Sequence, residues 1–163
     1  VPFCPESILS GIDEHFPEGA ALRYRRRFTL PEGFHKGRVL LHIGAADQVA
    51  VITVNGHFIG THQGGYEAFT FDITDSIIDG ENILELDVKD AIDPKYPYGK
   101  QTYKRGGMWY TPASGIWQTV WIEEVPVSYI KKIKATPDIE RKILKKYGSS
   151  SSTGMVCSGK DPE

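Results

Sequence analysis

Two runs of β-forming residues, Val51-Ile-Thr-Val54 and the stretch from His57 onward, meet at the pair Asn55-Gly56, and nothing else in the chain limits its fold as strongly. Asn-Gly readily takes the positive φ values of a two-residue type I′ turn, whose twist matches that of the strands it joins. A hairpin there fixes two antiparallel neighbours and the faces on which their side chains lie. The same pattern recurs along the chain. Helical periodicity is nearly absent, and short β-rich runs are separated by Gly, Pro, Asn and Asp clusters, as in a sandwich or barrel.

The expected strands are Leu22–Leu30, Arg38–Ile43, Gln48–Asn55, His57–His62, Ala68–Ile73, Asn82–Val88 and Gly115–Glu124, giving seven or eight main strands. In Leu84-Glu-Leu-Asp-Val88 apolar and acidic residues alternate, so one face is buried and the other wet. In the strand from Gly115, Ile116, Val120 and Ile122 share one face and Trp117 and Trp121 the other, which predicts cover on both sides. Thr74 to Ile78 reads as one helical turn capped by Thr74 or Asp75. Residues 90–114 form the longest irregular stretch, and such stretches are usually functional or disordered.

With 163 residues, one domain is expected, large enough to bury about 70% of its unfolded surface. A formal net charge of −2 favours neither nucleic acid nor an anionic membrane as partner, and no apolar run reaches the length of a membrane span. The localisation expected is cytoplasmic. The absence of an initial Met leaves a removed signal segment, and so a secreted or periplasmic home, open. Cys4 and Cys157 fit no metal or redox spacing and are read as free thiols. The five histidines form no paired-ligand motif, so neither a metal site nor a cofactor is expected.

Taken in order, the segments Tyr24-Arg-Arg-Arg-Phe28, Val39-Leu-Leu-His-Ile-Gly-Ala45, Val-Asn55-Gly56, His62-Gln-Gly-Gly-Tyr66 with Phe71-Asp-Ile-Thr74, Gly99-Lys-Gln101, Gly106-Gly-Met-Trp-Tyr110 and Ser114-Gly-Ile-Trp-Gln-Thr-Val-Trp121 resemble the N-terminal sugar-binding domain of glycoside hydrolase family 2. That family includes β-galactosidases, β-glucuronidases and β-mannosidases. The resemblance spans about Val1 to Ile139 and implies an all-β, jelly-roll β-sandwich of the galactose-binding-domain-like kind over residues 1–126. Residues 127–140 resemble a linker and the first strand of an immunoglobulin-like domain, here missing. From Arg141 the Lys- and Ser-rich composition predicts a disordered tail over 141–163, and the abrupt change suggests truncation or a frame error.

Retaining glycosidases use two carboxylates roughly 5 Å apart. The family carries them on a (β/α)8 barrel, a unit of about 250 residues that this length cannot hold. No catalytic residue is therefore expected here. Glu67, Glu81 and Glu85 read as surface residues, and Asp90 and Asp93 as a solvated pair. Several family members carry a loop Asp just before the Ser-Gly-Ile segment that helps hold sugar hydroxyls or a monovalent ion; residues 94–122 contain neither Asp nor Glu. The resemblance instead leaves Trp109, Tyr110, Arg105 and Gln101 as candidate substrate-binding residues. Aromatic rings stack on sugar C–H faces, and Lys104-Arg105 reads either as a contact for an acidic sugar or as a solvated basic pair. The alternative for Trp109 and Tyr110 is packing onto the sandwich or a neighbouring domain. The partners implied are a β-glycoside and the missing catalytic barrel, in a parent enzyme that is a candidate homo-oligomer. An autonomous carbohydrate-binding module and a purely structural or assembly domain are the competing readings.

Overall fold

The computed structural model describes residues 1–150 apart from Glu18 and Arg105; Cys157 and the rest of 151–163 lie outside the described residues. It is an all-β sandwich. Among the described residues the strands are β1 (Ala21–Thr29), β2 (Arg38–Ile43), β3 (Ala46–Asp47), β4 (Val49–Val54), β5 (His57–Gln63), β6 (Phe69–Asp72), β7 (Glu81–Lys89), β8 (Gly115–Ile116), β9 (Val120–Val125), β10 (Ile130–Asp138) and β11 (Ile143–Ser150). One antiparallel sheet runs β1-β7-β4-β5 and a second β6-β2-β9, while β3 and β8 pair at one end.

Alternation decides what lies between the sheets. Ala50, Ile52 and Val54 of β4 and Leu84, Leu86 and Val88 of β7 face Val39, Leu41 and Ile43 of β2, and all are buried. On β1 the same alternation turns Tyr24 and Phe28 toward this core. It turns Arg23, Arg25 and Arg27 outward, where they pair with Asp87, Glu85 and Glu81 across or beside them on β7.

The hairpin expected at Asn55-Gly56 is present, with φ of 52° and 79° at its two turn residues. Asn55 also anchors a buried polar network. Its amide nitrogen donates to Ser76 O and to Asn82 Oδ1, each at 2.8 Å, and its Oδ1 accepts from Ile83 N at 2.8 Å. Asn82 is fully buried and is satisfied in turn by Ile78 N, Ile78 O and Gly80 O.

Four expectations need correction. The strand from Gly115 is broken at residues 117–119 into β8 and β9, because Ala46–Asp47 pairs with its first two residues while β2 pairs with the remainder. The turn at Thr74–Ser76 is a 3-10 turn capped by neither Thr74 nor Asp75. Asp72 Oδ1 accepts from Thr74 N, and the Thr74 hydroxyl is engaged by Val39 N. Asp90 and Asp93 are half-buried, so they are not a solvated pair. Finally, Ile143–Ser150 is a strand, antiparallel to Ile130–Asp138 in a ribbon of its own. Asp138 organises the connection, accepting from Arg141 N at 3.1 Å and pairing with Lys145 at 3.2 Å, while Lys142 takes φ of 56°.

Candidate functional site

The candidate residues all belong to the connection from β7 to β8. Its far end is closed on itself. Tyr110 N donates to Lys100 O at 2.8 Å, Thr102 N donates to Tyr110 O at 3.1 Å, and Trp109 N donates to Gly106 O at 3.2 Å. Met108, Trp109 and Tyr110 stand at this tip, 59%, 45% and 66% exposed. Trp109 and Tyr110 thus each present a large part of their surface to solvent. Arg105 lies outside the described residues.

Gln101 is occupied internally. Its Oε1 accepts from Ala113 N at 2.6 Å. The residue therefore ties the two arms of the loop to each other.

Asp47 is the residue that sequence reasoning did not single out. It is 5% exposed, in a row of buried residues beginning at Ala45. The backbone of Gly65 lies against its carboxylate, so closely that a Cβ at Gly65 would collide with Asp47 Oδ1. Burial and the nearby Asp90 carboxylate push Asp47 up to about 7, against the hydrogen bond from Gln101, which pulls it down. Asp90 is also raised, first by its own burial and further by Glu6, with hydrogen bonds from the Ser114 hydroxyl and Ala91 N opposing. Glu6 accepts from Ser114 N at 3.1 Å. Three carboxylates thus converge where the loop leaves and rejoins the sandwich.

Perturbed acids of this kind often mark active sites. Here the surroundings argue otherwise: Asp47 is closed in by Gly65 and Gln101 and offers no face to a substrate. A cleft of about 460 Å³ opens elsewhere, where Tyr24 and Arg26 of β1 face Ile116 and Val120. Among the described residues it is lined by no carboxylate and by neither exposed loop aromatic. Among the described residues no group of three or more His, Cys, Asp and Glu is arranged to hold a metal ion.

The remaining motif residues build the floor of the loop. Gly115 has φ of 73°, and the Tyr24 hydroxyl occupies the place its Cβ would take, accepting from Ile116 N at 3.2 Å. Trp117 donates from its indole nitrogen to Gly65 O at 2.8 Å and meets Tyr66 edge-on at 6.2 Å. Trp121 lies on the outer face, 46% exposed and stacked on His42 at 4.8 Å.

The family of glycosyl hydrolase 2 galactose-binding domain-like domains matches residues 15–134. A β-galactosidase of Thermoanaerobacter pseudethanolicus is 31% identical over 112 residues, covering 68% of this chain and 14% of that protein. Among solved structures, a Bacteroides uniformis β-glucuronidase superposes with a TM-score of 0.59 at 30% identity, over 73% of this chain and 14% of that one. A β-glucuronidase of an uncultured Clostridium gives a TM-score of 0.68 at 26% identity, over 82% and 24%. The chain therefore spans between a seventh and a quarter of the length of these relatives. In the order of its motifs, its sandwich and its match over most of its length, this chain belongs to the galactose-binding-like domain family of glycosyl hydrolase family 2.

Proposed function

We propose that residues 1–126 form the non-catalytic, sugar-binding wall of a β-galactosidase-like β-glycosidase that hydrolyses O-glycosyl bonds in carbohydrate metabolism. The observation that carries this reading is a braced loop that holds Trp109 and Tyr110 out into solvent at its tip. Aromatic faces so presented suit the C–H face of a sugar ring. Hydrolysis needs an acid and a nucleophile on either side of an anomeric carbon. Asp47 and Asp90, the raised carboxylates here, are buried or half-buried and tied to Gln101 and Ser114, so the chemistry falls to another part of the parent enzyme, its barrel.

In the parent enzyme, Trp109→Ala and Tyr110→Ala should each raise KM for a nitrophenyl β-galactoside about three- to tenfold with little change in kcat. The 163-residue chain alone should turn over no glycoside. An unchanged KM in both variants, or turnover by the purified chain that disappears in Asp47→Asn, would overturn the reading. A second reading, a domain that serves assembly of the parent, is favoured by the exposed Trp121 on the outer sheet face. Light scattering on the parent with Trp121→Ala tests it, and an unchanged mass removes it.

A further inference from the structure

We propose that the β10–β11 ribbon is a docking element for an anionic lipid surface: its tip, residues 139–146, enters the headgroup layer while the cations around it meet the lipid phosphates and carboxylates. The ribbon lies outside residues 1–126, so this is independent of the sugar-wall reading.

The formal charge of −2 averages two unlike parts. Residues 130–150 hold seven of the 19 Lys and Arg and two of the 21 Asp and Glu, so they carry +5 and the remainder of the chain −7. Lys131, Lys132, Lys134, Arg141, Lys142 and Lys146 are all exposed. Of the two acids, Asp138 is neutralised inside the turn, where it accepts from Arg141 N at 3.1 Å and pairs with Lys145 at 3.2 Å. A chain so divided is drawn to a negative surface ribbon first, because the same field repels its acidic sandwich.

Charge alone would suit any polyanion; the apolar residues among the cations select lipid. Ile139 is 88% exposed in the loop that joins the two strands, and Leu144 and Ile143, at the start of β11, are 52% and 41% exposed. Arg141, Lys142, Lys145 and Lys146 interleave with these three. The register places Leu144 opposite Pro137, and Ala135 opposite Lys146, on the same face as Ile133, itself 61% exposed. A two-stranded ribbon gains little stability alone in water and more when such a face is covered. A nucleic-acid backbone would leave these aliphatic groups wet. A headgroup layer buries them and lets the long Lys and Arg stems carry their charges back to the polar surface.

Co-sedimentation of the 163-residue chain with vesicles tests this. The chain should bind vesicles of about 30% phosphatidylserine in phosphatidylcholine at about 0.1 M salt, be released at about 0.5 M, and leave pure phosphatidylcholine unbound. Arg141→Gln with Lys146→Gln should weaken binding about tenfold or more. Ile139→Ser, which changes no charge, should weaken it about tenfold. Glu140→Gln removes the acid at the tip and should strengthen binding about two- to fivefold, a gain that a misfolded ribbon cannot imitate. No binding to the anionic vesicles, equal binding to phosphatidylcholine alone, or a Glu140→Gln variant no tighter than wild type overturns the proposal. Wild-type affinity in Ile139→Ser also overturns it, as does tighter binding to duplex DNA than to the anionic vesicles, since the apolar tip would then play no part.

Discussion

Asn55 does two jobs that one pair of substitutions separates. It holds φ of 52°, a conformation open to Asn and Gly but strained for Ala, and its side chain makes three bonds of 2.8 Å to Ser76 O, Asn82 Oδ1 and Ile83 N. Asn55→Gly keeps the backbone and deletes the side chain. Each bond is worth about 1 kcal/mol net, and Ser76 O and Ile83 N lose their side-chain partner in a half-buried place, so the loss should be about 3 kcal/mol. Asn55→Ala adds the left-handed cost of about 1 kcal/mol, for about 4 in all. For a chain of this size about 3 kcal/mol lowers Tm by roughly 6–12 °C, a large part of a stability of about 5–15 kcal/mol. Urea unfolding followed by far-ultraviolet circular dichroism measures both variants, with m unchanged if the transition stays two-state. Asn82→Ala in the Asn55→Gly background should cost less than in the wild type, since the two side chains share a bond. An Asn55→Gly variant within about 0.5 kcal/mol of wild type would refute the reasoning, because the network would then contribute nothing beyond the turn.

Gly65→Ala places a methyl group against the Asp47 carboxylate and should cost about 1–3 kcal/mol by overpacking, read as a lowered urea midpoint. Gly56→Ala meets no neighbour and should cost only about 1 kcal/mol of backbone strain at its φ of 79°. Gly115→Ala combines a φ of 73° with the Tyr24 hydroxyl and should cost more than either; adding Tyr24→Phe should recover part of the loss by clearing the hydroxyl, and no recovery would count against the contact. Global stability should fall on the order of 2–4 kcal/mol as pH rises from about 4 to about 7, because folding raises Asp47 and the native state binds the extra proton there; Asp47→Asn should flatten this slope. Acid should act in the opposite sense below about pH 4. Asp72, which burial alone would raise, is held low by Thr74 and Arg38, and Asp87 by Arg23, so protonation removes their contribution.

The sandwich was legible because its signals are local. Asn55-Gly56 names its own turn, and the alternation in β4 and β7 depends only on residues two apart, so six of the seven strands of the two main sheets could be read with bounds close to those observed. Errors came where pairing is decided by distant partners. Nothing near Trp117 announces that Ala46–Asp47 will take Gly115–Ile116 and leave β9 to β2. The Lys- and Ser-rich run after Arg141 hid a strand whose register is organised by Asp138.

The same distinction separates the exposed part of the site from its support. Trp109 and Tyr110 were visible because aromatic residues in a Gly- and Pro-punctuated loop stand out by composition alone. Asp47 was not, because its character comes from Gly65, Asp90 and Gln101, which lie far apart in the chain. One trace was present in the pair Gly64-Gly65. The first glycine, at φ of 133°, makes the turn. The second has no left-handed φ to explain it, so its missing side chain signals a close approach by another group. A glycine that no turn requires, beside an acid that no strand face requires, is the pattern by which such a buried carboxylate can be sought in a sequence. The physical reason is steric before it is electrostatic: the carboxylate fits only where a Cβ is absent, and its charge is then disfavoured because the fit excludes water.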